Sequence, residues 1–154
     1  MKLFNLILIC FLFYFQSFSQ SIVFQSAKER NANKPQLFIK DSIKALFNEE
    51  YIEDILSMSL DEDVEIELTK HTTFKGRVIL IHNTSTDVVT MSLKSHDIDS
   101  LTLILSRVTV IPDEVIYRCL LMSNTHKDAL VLEKDEHDGK YYWTRKEVAD
   151  LIPD

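Results

Sequence analysis

From residue 64 to residue 144 the chain is a succession of short apolar, β-branched runs, each closed by a polar or charged turn. This pattern constrains the fold more than any other feature, because successive side chains of a strand point to opposite faces and alternating polarity makes a ribbon with one dry side. Val64, Ile66 and Leu68 alternate with Glu65 and Glu67. A second run spans residues 74–81 and contains Gly76, the mark of a bulge or a close backbone approach. Val89, Met91 and Leu93 oppose Thr90 and Ser92 in a third, over residues 88–93. In the long run 101–111, Leu101, Leu103 and Leu105 take one face, while Ile104, Val108 and Val110 break the alternation. A strand apolar on both sides is expected to be central and covered twice. Residues 115–122, 129–132 and 141–144 complete seven strands, and Asp138-Gly139 is the signature of a type I′ hairpin turn.

Connections this short exclude a parallel α/β sheet, which needs long crossovers. The expected fold is therefore mainly β (α+β): a seven-stranded antiparallel meander, closing as a small barrel or folding as a sandwich. One amphipathic helix precedes it. Asp41 is a good N-cap, and Ile43, Leu46, Phe47, Ile52, Ile55 and Leu56 recur near a period of 3.6, predicting a helix over 42–58, whole or broken near Asn48. Its apolar side suits an open face of the sheet. Residues 145–152 predict a short C-terminal helix or docking tail before Pro153.

At the other end, Lys2 precedes an almost unbroken apolar run over residues 3–15, with Ser17 and Ser19 at the small-residue positions before a cut. This is the arrangement of a secretory signal peptide over 1–19, and it is shorter than the ~20 residues a membrane span needs. A retained anchor is the alternative. Residues 20–36 read as a linker, and 37–154 as a single β-rich domain. The chain is thus expected to be secreted or periplasmic, with no stable membrane span after cleavage.

Export and composition together narrow the chemistry. Loss of residues 1–19 takes the formal net charge from −7 to −8, which disfavours nucleic acid and anionic membrane surfaces as partners. Cys119 would be the only cysteine left, so no internal disulfide is available and a packed core must hold the fold. Among its neighbours Ile116, Leu120 and Leu121, it reads as a small buried hydrophobe before a reactive thiol.

His71, His82, His96, His126 and His137 show no i,i+4 pairing and no His-Glu-x-x-His motif. The acidic runs 61–63 and 135–138 lack the alternating ligands and closing Glu of a calcium loop. No Gly-x-Ser-x-Gly elbow occurs, and Gly76 and Gly139 stand alone, which rules out a phosphate-cradling loop. No cofactor, metal or catalytic residue is assigned. The composition leans toward binding in one respect only: Tyr141, Tyr142 and Trp143, with Phe74 and Tyr117, put aromatic rings on β-surfaces, where rings anchor a protein chain or stack on a glycan. In a strand Tyr141 and Trp143 share a face and Tyr142 takes the other, so one side belongs to the core and the other is the candidate surface.

The order Thr73, Phe74, Lys75, Gly76, Arg77, Val78, then residues 87–93, then a long apolar strand resembles the β-rich propeptides of reprolysin-type zinc metalloproteases. Those carry an aromatic-x-Gly-x-Val strand followed by a Ser-Val-x-Leu-Ser strand. The resemblance covers residues 72–110 or so and implies an exported domain that binds or inhibits a protease, or a partner-binding module of similar shape. No protease domain is seen, and Cys119 lies within a strand and not in a cysteine-switch motif, so zinc blocking does not carry over. The leading expectation is a non-catalytic domain that binds a protein or glycan. A propeptide-like protease regulator and a small secreted hydrolase are the alternatives.

Overall fold

The computed structural model describes residues 27–39, 45–47, 49–85, 87–111 and 114–151. The signal-peptide expectation falls outside them. Within them lie three helices, α1 (Ala27–Ala32), α2 (Glu49–Leu56) and α3 (Val148–Leu151). The eight strands are β1 (Ala45–Phe47), β2 (Asp63–Glu67), β3 (Thr73–Ser85), β4 (Val88–Ser95), β5 (Leu101–Ile111), β6 (Glu114–Ser123), β7 (Asp128–Lys134) and β8 (Tyr141–Glu147).

All eight join one antiparallel sheet in the order β1, β8, β7, β6, β5, β4, β3, β2, curled into a half-barrel. Strands β2 to β8 are the seven of the expected meander, each beside its successor. Two corrections follow. The sheet has one strand more than expected, and it is a single open sheet among the described residues, with free edges at β1 and β2.

The extra strand comes from the segment read as helix 42–58. Residues 45–47 pair with β8, Ala45 opposite Trp143 and Phe47 opposite Tyr141, and among the described residues of that segment Glu49–Leu56 is the helical part. A helix would have turned Leu46 and Phe47 toward one core. In the strand they separate: Phe47 is buried with its ring edge-on to Trp143 at 5.5 Å, and Leu46 faces out. A three-residue strand inside a period-3.6 pattern leaves no distinct sequence signal.

Because β1 and β2 are successive in sequence and occupy opposite edges, the connection between them carries α2 across the inside of the curl. Glu49 and Glu50 favour its N-terminal turn. Ile52 and Ile55, three residues apart, enter the core with Phe74, Val78, Met91, Leu93, Leu103, Leu105, Leu121 and Trp143. These inner positions are the alternate residues of each strand, as the period of two requires.

Gly76 is the close approach signalled by the sequence: a Cβ there would stand 2.4 Å from the Lys94 carbonyl oxygen and 2.7 Å from the Phe74 ring. The Asp138-Gly139 turn differs from expectation. Gly139 has φ of +70°, but Asp138 does not, and a type I′ turn needs both. The loop is longer, closed by Asp135 N–H to Lys140 O (2.8 Å) and Gly139 N–H to Asp135 O (2.9 Å).

Part of the expected linker is structured. Helix α1 lies within 20–36, and the Pro35 carbonyl accepts the Lys127 amide at 3.0 Å. The buried Asp128 carboxylate then accepts the Leu37 and Phe38 amides at 2.7 and 2.9 Å, while Arg145 donates to the Phe38 carbonyl at 3.0 Å. This strap seats Phe38 in the core. At the C-terminus, residues 145–147 continue β8, and the expected helix shrinks to Val148–Leu151.

Candidate functional site

The five aromatic candidates divide by face. Phe74, Tyr117, Tyr141 and Trp143 all point inward and are buried, with Phe74 and Trp143 1% exposed. Their rings pack against the core: Tyr117 and Tyr141 meet edge to face at 5.7 Å, and the Tyr141 hydroxyl accepts the Tyr117 amide at 3.1 Å. None of these four offers a ring to a docked molecule. Tyr142 alone faces out, half-buried, its hydroxyl donating to Asp138 Oδ2. The Tyr142 hydroxyl, and then the Lys140 amide, hold the Asp138 carboxyl below its usual range, and the bond to Asp138 raises the Tyr142 phenol.

The outer face carries a different apolar surface, built from residues the aromatic pattern does not mark. Cross-strand register lines up Leu80, Ser92, Ile104, Leu120, Val131 and Thr144 in one row over β3 to β8. Two positions along, His82, Thr90, Ser106 and Arg118 form a polar row, with the Thr90 and Ser106 hydroxyls 3.0 Å apart. Beyond it Val88, Val108 and Ile116 make a second apolar row. On the other flank Asp63, Arg77 and Lys94 bound the surface with charge.

Strand β5 is therefore central, as its two apolar faces predict, but it is not covered twice. Leu101, Leu103 and Leu105 are buried inside, whereas Ile104 and Val108 are only half-buried and Val110 is exposed. No described element lies over that side.

The polar clusters have structural partners. Glu53 on α2 accepts from the Tyr117 hydroxyl at 2.6 Å and from Arg107 Nη1 at 3.1 Å, pinning the helix to β5 and β6. Burial, and then the Glu53 carboxylate, push the Tyr117 phenol well above its usual range. Ser123 Oγ lies 2.9 Å from His126 Nδ1, the spacing of a nucleophile and its base, with Ser100 and Thr125 hydroxyls at 2.6 and 2.9 Å from the same oxygen. Ser123 is only 1% exposed, and no carboxylate bonds the His126 ring among the described residues. The cluster also receives the Thr125 amide, so it holds the β6–β7 turn.

Asp63 binds Arg77 through two bonds of 2.8 and 3.2 Å and His96 at 2.9 Å. Arg77, then His96, draw its carboxyl down to about 2. Three other acids of the two runs also serve local structure: Glu62 accepts the Ser59 amide, and Asp135 and Asp138 accept amides within the β7–β8 loop. No three of His, Cys, Asp and Glu gather as metal ligands among the described residues. Cys119 is buried, which pushes its thiol up.

No described helix is long and apolar enough to cross a membrane. The signal that could have found the outer surface was already present in the non-alternating positions of 101–111. No protein-family model matches the chain, and no curated protein or solved structure does either.

Proposed function

We propose that this chain is an exported, non-catalytic interaction domain whose outer sheet face docks onto a protein. The observation that carries the reading is the row Leu80, Ile104, Leu120 and Val131, aliphatic side chains aligned on four of five adjacent strands and left without a second layer among the described residues. A sheet normally buries each apolar face against another layer. Covering such a side chain contributes about 1–2 kcal/mol, and the flanking hydroxyl and charged rows supply the polar rim of a protein interface. A glycan is less well served, because four of the five candidate rings lie in the core and only Tyr142 faces out. Export rests on residues 1–19 alone.

A propeptide-like regulator remains a second reading, favoured by the position of the resembling segment. Residues 72–110 form β3, β4 and most of β5, the strands that carry Leu80, Val88 and Ile104 on the outer face. Such a domain would restrain a protease by docking rather than by zinc blocking, since Cys119 is buried on the opposite face.

Comparative capture from the extracellular or periplasmic fraction tests both readings. An Ile104→Asp/Leu120→Asp variant should keep its fold by circular dichroism and lose the partner retained by the native chain by about tenfold or more. Equal retention of the same protein by both would sink the outer face as the docking surface. A retained protease that is inhibited by the native chain, and released by the variant, would decide for the regulator.

A further inference from the structure

Strand β3 has two unlike halves. Thr73 to Arg77 pair with β2, and a bulge between Val78 and Leu80 then carries the strand beyond β2. Residues 79–85 pair only with β4; on their other side no strand lies among the described residues. The exposures agree: Ile79 is 47% and Leu80 53% exposed, and His82, Asn83, Thr84 and Ser85 are all exposed. Alternate N–H and C=O groups of such a strand point to the open side, a template for another strand.

Proteins blunt edges of this kind with charge, proline or very short strands. The remaining edges here follow that practice. Strand β2 presents Asp63, Glu65 and Glu67, and Tyr51 donates to its Glu65 carbonyl at 3.4 Å; β1 has three residues. Where β6 splays from β7, the Tyr141 hydroxyl takes the Tyr117 amide. Residues 79–85, by contrast, are Ile, Leu, Ile, His, Asn, Thr and Ser, with no Lys, Arg, Asp, Glu or Pro.

We infer that the open edge of β3 over residues 79–85 pairs with the same edge of a second copy, joining two half-barrels through one antiparallel sheet. The choice of a second copy rests on charge. A two-fold axis at His82 sets Leu80 opposite Thr84 and Ile81 opposite Asn83, and no carboxylate meets a carboxylate, although each chain is acidic overall. Self-pairing of β2 about Glu65 would set Asp63 against Glu67 and Glu65 against itself, like charges directly opposite. Such a dimer also makes the two outer faces continuous across the joint. It stands independently of what docks there.

Sedimentation and light scattering of the chain as purified, from about 1 to 100 μM, with amide hydrogen exchange over the same range, test the inference. The expected result is a dimer whose residues 79–85 are protected at high concentration and exchange faster on dilution. His82→Asp/Asn83→Asp, which places acids around the axis at exposed positions, should weaken dimerisation by about tenfold or more, with an unfolding temperature unchanged at concentrations where the native chain is monomeric. Glu65→Ala on β2 should leave it unaltered. A monomer throughout would overturn the inference, and so would a dimer that resists the double substitution or exchanges residues 79–85 at a rate independent of concentration. If the double variant fails to fold, the exchange of the native chain decides alone.

Discussion

The two faces of the sheet are made by the same strands and both carry apolar rows, yet only one is filled. Inside, Leu103 is fully buried in the core that also holds Ile52 and Ile55 of α2; one residue on, Ile104 is only half-buried, with Ser92 and Leu120 beside it. The difference lies in what covers each position. Connecting opposite edges forces α2 through the inside of the curl, and the strap at 35–39 adds Phe38 there, whereas no described segment crosses the outside. Hydrophobic character alone thus fails to distinguish a core from a face that nothing described covers.

Substitutions of Leu103 and Ile104 probe that contrast with the largest expected effect. Leu103→Ala should cost about 2–5 kcal/mol in chemical denaturation, since it removes buried methyls and leaves a cavity, while Ile104→Ala should cost about 1 kcal/mol or less. Equal losses would mean that something covers the outer face in the free chain. Next in size, Gly76→Ala on the inner side should destabilise by about 1–3 kcal/mol, because its new methyl meets backbone at Lys94 as well as a ring edge. A neutral result would show that β3 and β4 can separate locally.

The smallest effect belongs to the charged flank of the outer face. The Asp63 carboxyl is held at about 2, below its ordinary 3.8. A carboxylate depressed in the folded state stabilises above its unfolded value, and that contribution disappears as pH falls from 3.8 through about 2. Because the group is fully exposed, solvent and salt screen it. Thermal melts of Asp63→Asn should therefore show a shallower loss of stability than the native chain over that window, with the difference reduced in high salt. Identical pH profiles would show that the Asp63, Arg77 and His96 contacts contribute nothing measurable.

How far the sequence could be read depended on the length and uniqueness of each pattern. Strands β2 to β8 were legible because runs such as Val64 to Leu68 alternate cleanly, and short polar turns leave a meander as the simplest connection. Strand β1 was hidden, since Leu46 and Phe47 fit a helical period as well as a strand. The binding candidates met another limit. Alternation places Tyr141 and Trp143 together and Tyr142 apart, but is symmetric between inside and outside, so only three dimensions decided that the pair is buried and Tyr142 faces out. The aliphatic row was harder still, because Leu80, Ile104, Leu120 and Val131 come from four separate runs and meet only through register.

By itself, then, the sequence determined the β-rich antiparallel class and which residues share a face, because those follow from the period of a strand and the length of its connections. Tertiary structure alone decided which face became the core, where the eighth strand joined, and which edge stayed open. Those outcomes depend on the path of α2 across the curl and on the bulge that carries β3 past β2, and neither is written in any local run of residues.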